Sequence, residues 1–265
     1  MFQFNDLEGR TVVLTGATNG IGRALIPGLI AQGLNLILIG RDPARLETVV
    51  CEHQNTATTV EGVLCDLAIP QQRGNAAQRI GELAPVLDGI IHNAAIDPRQ
   101  TLEKTTLELF RNVMATNVEP AMVLTRDLLP NLRQSKAGRV VNIGSITFEL
   151  GTSLLSSYVA SKGALVGLTR SLAHELGRDR ITVNCIAPGV IEVEKEADRM
   201  TPELKRTILA GQSLQRILTP DDLLGVLCLL LSDAGGGITG QTITVDAGIV
   251  HGIASFDTQS PWLAE

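Results

Sequence analysis

The chain has 265 residues, 44% of them hydrophobic and 19% charged, enough apolar material for one large globular domain with a sizeable core. A formal charge of −6 and a pI near 5.3 argue against a basic surface for nucleic acid or an anionic membrane. The longest strongly apolar run, 223–231, is too short to span a bilayer, and the first six residues lack a basic region and a signal core. The four scattered cysteines (Cys51, Cys65, Cys185, Cys228) read as reduced thiols of a cytoplasmic protein rather than as disulfides or metal ligands.

Short β-branched runs alternate with helical stretches from the start. A strand expected at 11–15 runs into Thr15-Gly16-Ala17-Thr18-Asn19-Gly20-Ile21-Gly22, ahead of a helix at 21–32 in which Pro27 predicts a kink. Glycines at a βα turn let the backbone close on a diphosphate lodged at the positive end of a helix. The plain alternative is an ordinary glycine-rich turn. A second strand, 35–39, leads to Gly40-Arg41. A carboxylate there would take the ribose 2′-hydroxyl of NAD; Gly40 offers none, and the guanidinium of Arg41 suits a 2′-phosphate. NADP(H) is therefore favoured over NAD(H), against the alternative that Arg41 is solvated or merely covers an adenine.

Further along, helices are expected at 43–52, 71–83, 106–133, 157–176, 202–210 and 220–231, and strands at 59–65, 89–92, 139–143, 181–186 and 242–245. Asp42-Pro43, Thr201-Pro202 and Thr219-Pro220 each place a capping side chain before a proline at the first helical position. Continuous apolar strands joined by helices imply an α/β fold, a mostly parallel, doubly wound sheet with right-handed crossovers. No linker or repeat divides the chain, so one domain over 1–265 is expected.

The most telling segment is Tyr158-Val159-Ala160-Ser161-Lys162. Residues four apart share a helix face, and a nearby ammonium favours the phenolate, lowering a tyrosine from its usual value of about 10. Tyr158, the one tyrosine in the chain, is thereby suited to proton exchange with an alcohol or carbonyl. Ser145, just past the strand at 139–143, is placed to hydrogen-bond a substrate oxygen. Asn117 is an ordinary polar helix residue unless it reaches the Lys162 region.

With these motifs the chain resembles the classical short-chain dehydrogenase/reductases from Leu7 to about Ile249. The matching residues are Thr15–Gly22, Asp66, Asn93-Ala94-Ala95, Asn117, Ser145, Tyr158-x-x-x-Lys162, Asn184 and Pro188-Gly189. The resemblance implies a single Rossmann-like, doubly wound domain with a parallel sheet of about seven strands in the order 3-2-1-4-5-6-7. Its cofactor half would be about 1–140 and its catalytic and substrate half about 141–265. It implies that Gly16, Thr18, Asn19, Gly20, Ile21 and Gly22 hold the diphosphate. Asp66, with Leu67, would contact adenine, and Asn93, Ala94 and Ala95 would shape the pocket. Pro188, Gly189 and Val190 would line the nicotinamide. Tyr158 would be the acid/base, Lys162 its tuning partner and ribose ligand, Ser145 the substrate-positioning hydroxyl, and Asn117 the holder of a relay water. Three residues depart from the pattern: Val193 where threonine often meets the carboxamide, Ile96 where glycine is common, and Ala247 in place of a glycine.

Substrate contacts are expected from Ser145, Thr147, Glu149, Tyr158 and Glu192, with loops 96–100 and 146–155, a lid at 190–212 and a tail at 250–265. Glu192, Glu194, Lys195 and Glu196 either grip a polar substrate or belong to a solvated lid. His251 and Trp262 either close a pocket or touch a neighbour, while His92 reads as core and His174 as helix surface. The resemblance implies a homodimer through 106–133 and 157–176, where Ala160, Gly163, Ala164 and Gly167 permit close helix approach, and a homotetramer beyond it. The expected function is NAD(P)(H)-dependent interconversion of a secondary alcohol and a ketone, without a metal. The alternatives are a 3-oxoacyl-[acyl-carrier-protein] reductase, an NAD-dependent sugar or polyol dehydrogenase, and a non-catalytic dinucleotide-sensing protein. The first needs a basic docking patch, for which Arg99, Lys104, Arg126, Arg133 and Lys136 are scattered candidates; the intact Ser145–Tyr158–Lys162 set speaks against the last.

Overall fold

The computed structural model describes residues 3–54, 56–194 and 200–251. Strands β1 (Thr11–Thr15), β2 (Asn35–Gly40), β3 (Val60–Leu64), β4 (Gly89–His92), β5 (Arg139–Ile143), β6 (Thr182–Pro188) and β7 (Thr242–Val245) form one sheet in the order β3-β2-β1-β4-β5-β6-β7. Every pairing is parallel, which is the expected order and sense.

Ten helices connect and cover it: α1 (Gly20–Ala31), α2 (Pro43–Glu52), α3 (Pro70–Leu83), α4 (Leu107–Asn117), α5 (Glu119–Asp127), α6 (Leu129–Leu132), α7 (Thr147–Leu150), α8 (Ser156–Leu176), α9 (Pro202–Gly211) and α10 (Asp221–Leu231), among the described residues. Because side chains alternate along a strand, the apolar strands feed two cores. Val12, Leu14, Leu36 and Leu38 meet Leu25, Ile26 and Leu29 of α1 and Leu223 and Leu227 of α10 on one face. Val13, Ile37, Ile90 and Val140 meet Ile80 of α3, Leu124 of α5 and Leu176 of α8 on the other. Each such burial contributes about 1.5–3 kcal/mol. At the edges coverage stops: of β3 only Val63 is buried and Leu64 is 55% exposed. β7 is half-buried throughout.

Two expectations need correction. The helix expected over 106–133 is three helices, broken at Val118 and Leu128. Pro120 and Pro130 cause the breaks, since each lacks an N–H and crowds the preceding turn. At the start of α10 Thr219 is not the capping side chain; Asp222 reaches back instead, its Oδ2 accepting the Thr219 N–H at 2.8 Å. The other two caps form, with Asp42 accepting from Arg45 N–H at 3.1 Å and Thr201 from Leu204 N–H at 3.2 Å. α1 continues through Pro27 as a helix.

Candidate active site

The carboxyl ends of β1, β2, β4, β5 and β6 open on one cleft of about 350 Å³. It lies where the chain, having built β1, β2 and β3 outward, returns to the other side of β1 as β4, the place where open α/β sheets take ligands. Its walls carry Gly16, Thr18, Asn19, Gly20 and Ile21, Arg41, Asp66 and Leu67, Asn93, Ala94 and Ala95, Ser145 and Thr147, Tyr158 and Lys162, and Pro188, Gly189 and Val190.

The glycine loop is braced from β4. Thr15 Oγ1 accepts the N–H groups of Asn93 and Ala94 at 2.9 and 3.0 Å, and Asn93 Nδ2 donates to the carbonyls of Thr15 and Gly16 at 2.9 and 3.2 Å. Gly16 has φ +66°, and a Cβ there would stand 2.8 Å from Ala94 Cα. The loop is thus a cradle that only a residue without a side chain leaves open. Gly22 packs against Gly16 and Asn93, behind the wall. At the end of β2 a Cβ on Gly40 would overlap Thr18 Cγ2, so the position that a carboxylate would need is already filled. Exposed Arg41 beside it lines the cleft, and among the described residues no carboxylate pairs with it. A glycine cradle at a helix N-terminus with a free guanidinium nearby fits a phosphate-bearing dinucleotide.

At the other end, the first turns of α8 bring Tyr158 and Lys162 together, with Lys162 Nζ 5.3 Å from the centroid of the tyrosine ring. Lys162 is 2% exposed, and its Nζ donates to Ile143 O at 2.7 Å. Burial draws its ammonium down from 10.5 to about 8, opposed by Cys185 and Asp97. Ser145, also buried, accepts from Thr147 N–H at 3.2 Å and Thr147 Oγ1–H at 3.1 Å. Burial pushes the Cys185 thiol up to about 11.

Asn117 does not line the cleft; it lies behind it, buried, at the end of α4. Its Oδ1 accepts the Ile96 N–H at 2.8 Å, and its Nδ2 donates to Ile96 O and Ser161 Oγ, both at 3.0 Å. Ser161 Oγ donates in turn to Tyr158 O at 2.7 Å. One carboxamide therefore ties the loop after β4 to the turn that carries Tyr158. The clamp also explains why isoleucine serves at position 96: its backbone is held without a left-handed φ. Ala247 does adopt one, φ +58°.

The remaining sites fall elsewhere. Glu149 is exposed on α7, and Glu192 pairs with Lys205 at 2.6 Å; neither lines the cleft. Asn184 is structural, joining Ile238 O at 2.7 Å and Gln241 N–H at 3.1 Å. Lys195, Glu196 and Trp262 lie outside the described residues. Val193 is on the cleft wall, packed against apolar neighbours. Cys65 and Thr116 line the cleft without having been singled out; their positions, one residue before Asp66 and one before Asn117, were the available signal. Asp97, Arg99 and Leu155 fall within the loops expected to meet substrate.

Fold and site together define an α/β oxidoreductase built around a dinucleotide cleft. The chain belongs to the short-chain dehydrogenase/reductase family: a family model described as enoyl-(acyl carrier protein) reductase matches residues 16–250. It is 32% identical over 251 residues to a probable galactose dehydrogenase, GalD, of Rhizobium meliloti strain 1021, covering 93% of this chain and 97% of the relative. It is 31% identical over 245 residues to the 3-oxoacyl-[acyl-carrier-protein] reductase FabG of Rickettsia felis, covering 92% and 98%. The RhlG/NADP active-site complex of Pseudomonas aeruginosa superposes with a TM-score of 0.87 at 29% identity, over 94% of this chain and all of that one (100%).

Proposed function

We propose that this protein interconverts a secondary alcohol and a ketone, with NADP(H) favoured over NAD(H). The observation that carries the reading is the Tyr158–Lys162 pair on the wall of a cleft whose far end is a glycine cradle. The dinucleotide, when bound, supplies or accepts the hydride. Reduction then needs a proton at the developing alkoxide, which the Tyr158 hydroxyl gives; oxidation needs the same proton removed, and the phenolate takes it. Lys162, charged at neutral pH but close to its titration, favours that phenolate. Ser145 Oγ orients the substrate oxygen and stabilises charge forming on it. Asn117 serves as the support for proton replenishment: Pro120 has no N–H to offer, and the Ala121 N–H goes to Val118 O at 3.1 Å, turning away from the Asn117 carbonyl.

Arg41, facing the cleft beside a glycine that displaces any carboxylate, supports the NADP(H) preference. The bound NADP of the Pseudomonas neighbour is in keeping with it. Free cysteines, three of them buried, suit a cytoplasmic setting, and no described helix is long and apolar enough to cross a membrane. The expected assembly is a homotetramer. The test is Tyr158→Phe: cofactor binding, read by fluorescence titration, should persist while turnover falls at least a hundredfold. Near-normal turnover in that variant would refute the assignment.

A further inference from the structure

The cleft wall carries three cations among the described residues, Arg41, Arg99 and Lys162. Arg41 stands at the end of β2, and Lys162 is committed to Ile143 O. Arg99 belongs to the loop after β4, which is fastened to the segment leading into α8: Gln100 N–H donates to Leu154 O at 2.9 Å, and neighbouring Leu155 is buried on the cleft wall. That fastening puts Arg99 at the Tyr158 end, away from the glycine cradle. Its side chain is 54% exposed, and Asp97, its one ion-pair partner among the described residues, stands 3.9 Å from Nη2, beyond hydrogen-bond range. Among the described residues no acceptor occupies the guanidinium fork. Val190, Ile191 and Val193 give the same cleft an apolar stretch of wall.

We propose that Arg99 is a specificity residue that receives the carboxylate of a small hydroxy or keto acid whose reacting carbon lies at Tyr158. A planar fork with unfilled donors matches a carboxylate in two parallel hydrogen bonds, and its placement on a fastened loop holds that match at one distance from the reacting group. Asp97 stands on one side of the fork, and the apolar wall takes the carbon skeleton. The inference rests on the oxidoreductase reading above.

The test is steady-state kinetics of the full-length protein with NADP(H) and NAD(H) on matched pairs: gluconate against glucitol, 3-hydroxybutyrate against 2-butanol, and acetoacetate against butanone. A 3-oxoacyl-pantetheine thioester is run beside them. Wild type, Arg99→Gln, Arg99→Lys and Tyr158→Phe are compared, each checked for folding by circular dichroism. The acid of at least one pair should be preferred on kcat/KM. In Arg99→Gln that preference should fall on the order of ten- to a hundredfold, chiefly through KM, with partial recovery in Arg99→Lys. Tyr158-dependent turnover that favours neutral partners or the thioester, or a preference for acids that survives Arg99→Gln, overturns the inference and leaves the oxidoreductase reading intact. Absence of turnover on every acid overturns the inference, and failure to bind NADP(H) or NAD(H) in fluorescence titration overturns the oxidoreductase reading as well.

Discussion

Below pH 8 the folded protein keeps a charge on Lys162 in a place that disfavours it. As pH rises through about 8 the folded lysine gives up its proton, while in the unfolded chain it holds it to about 10.5. The unfolded state binds more protons over that window, so stability rises with pH across it, by on the order of 3 kcal/mol. Lys162→Met removes the charge but also the charge-assisted bond to buried Ile143 O, a loss of about 1.5–3 kcal/mol. The two effects nearly offset at pH 7, so thermal melts there should show the inactive variant close to wild type, and wild type should gain on it as pH rises through about 8. Ala247 makes the converse case. It holds φ +58° while its carbonyl accepts the N–H groups of Ser213 and Leu214 at 2.8 and 3.0 Å. A left-handed backbone costs an alanine about 1–2 kcal/mol. Ala247→Gly should raise stability by about 0.5–1 kcal/mol in urea unfolding, after the loss in unfolded-state entropy.

Individual elements differ in how far they could be read in advance. β1, β4, β5 and β7 keep the bounds read from the sequence; the first three are buried almost throughout, as central strands covered on both faces are, whereas β7 is a half-buried edge strand. The segment 106–133 deceived because its apolar spacing continues across Pro120 and Pro130, and periodicity alone does not register a missing N–H. α7, a single turn of four residues, has too few positions to show a period. At the site, Tyr158 and Lys162 were legible because helical spacing is local. The grip of Asn117 on Ile96, 21 residues away, was not, since it depends on where β4 and α4 end in space. The end of β2 yields a prediction of its own. Gly40→Asp alone should fold poorly or gain little NAD(H) activity, because its Cβ overlaps Thr18 Cγ2. Gly40→Asp with Thr18→Ser removes that methyl and should shift kcat/KM toward NAD(H) by at least tenfold. Arg41→Ala should weaken NADP(H) far more than NAD(H), and equal weakening of both would reject a phosphate-binding role.

On the scale of the whole molecule, one flank of the fold is unfinished. Leu107 and Phe110 of α4 are 61% and 37% exposed, and Met122 of α5 is 47% exposed. On α8, among the described residues, nothing lies within 4 Å of where a Cβ on Gly163 or Gly167 would stand. Apolar side chains beside small residues invite another copy of the same helices. Light scattering on the purified protein should give a tetramer. Phe110→Asp with Met122→Glu should shift it to smaller species, and a monodisperse monomer from wild type would reject the assembly.

The reversal of strand order beside β1 also bears on how the protein is made. A ribosome delivers β1, β2 and β3 first, and these can pair with one another at once. The opposite edge of β1 must wait for Gly89–His92, more than seventy residues after Thr11–Thr15. During that interval the nascent chain presents a bare row of amides and carbonyls beside apolar Val12, Val13 and Leu14, the kind of edge that recruits strangers. The ligand crevice of the finished enzyme therefore lies at the seam of its sheet that waits longest for its second strand, a stage of synthesis at which a chaperone has an edge to shield.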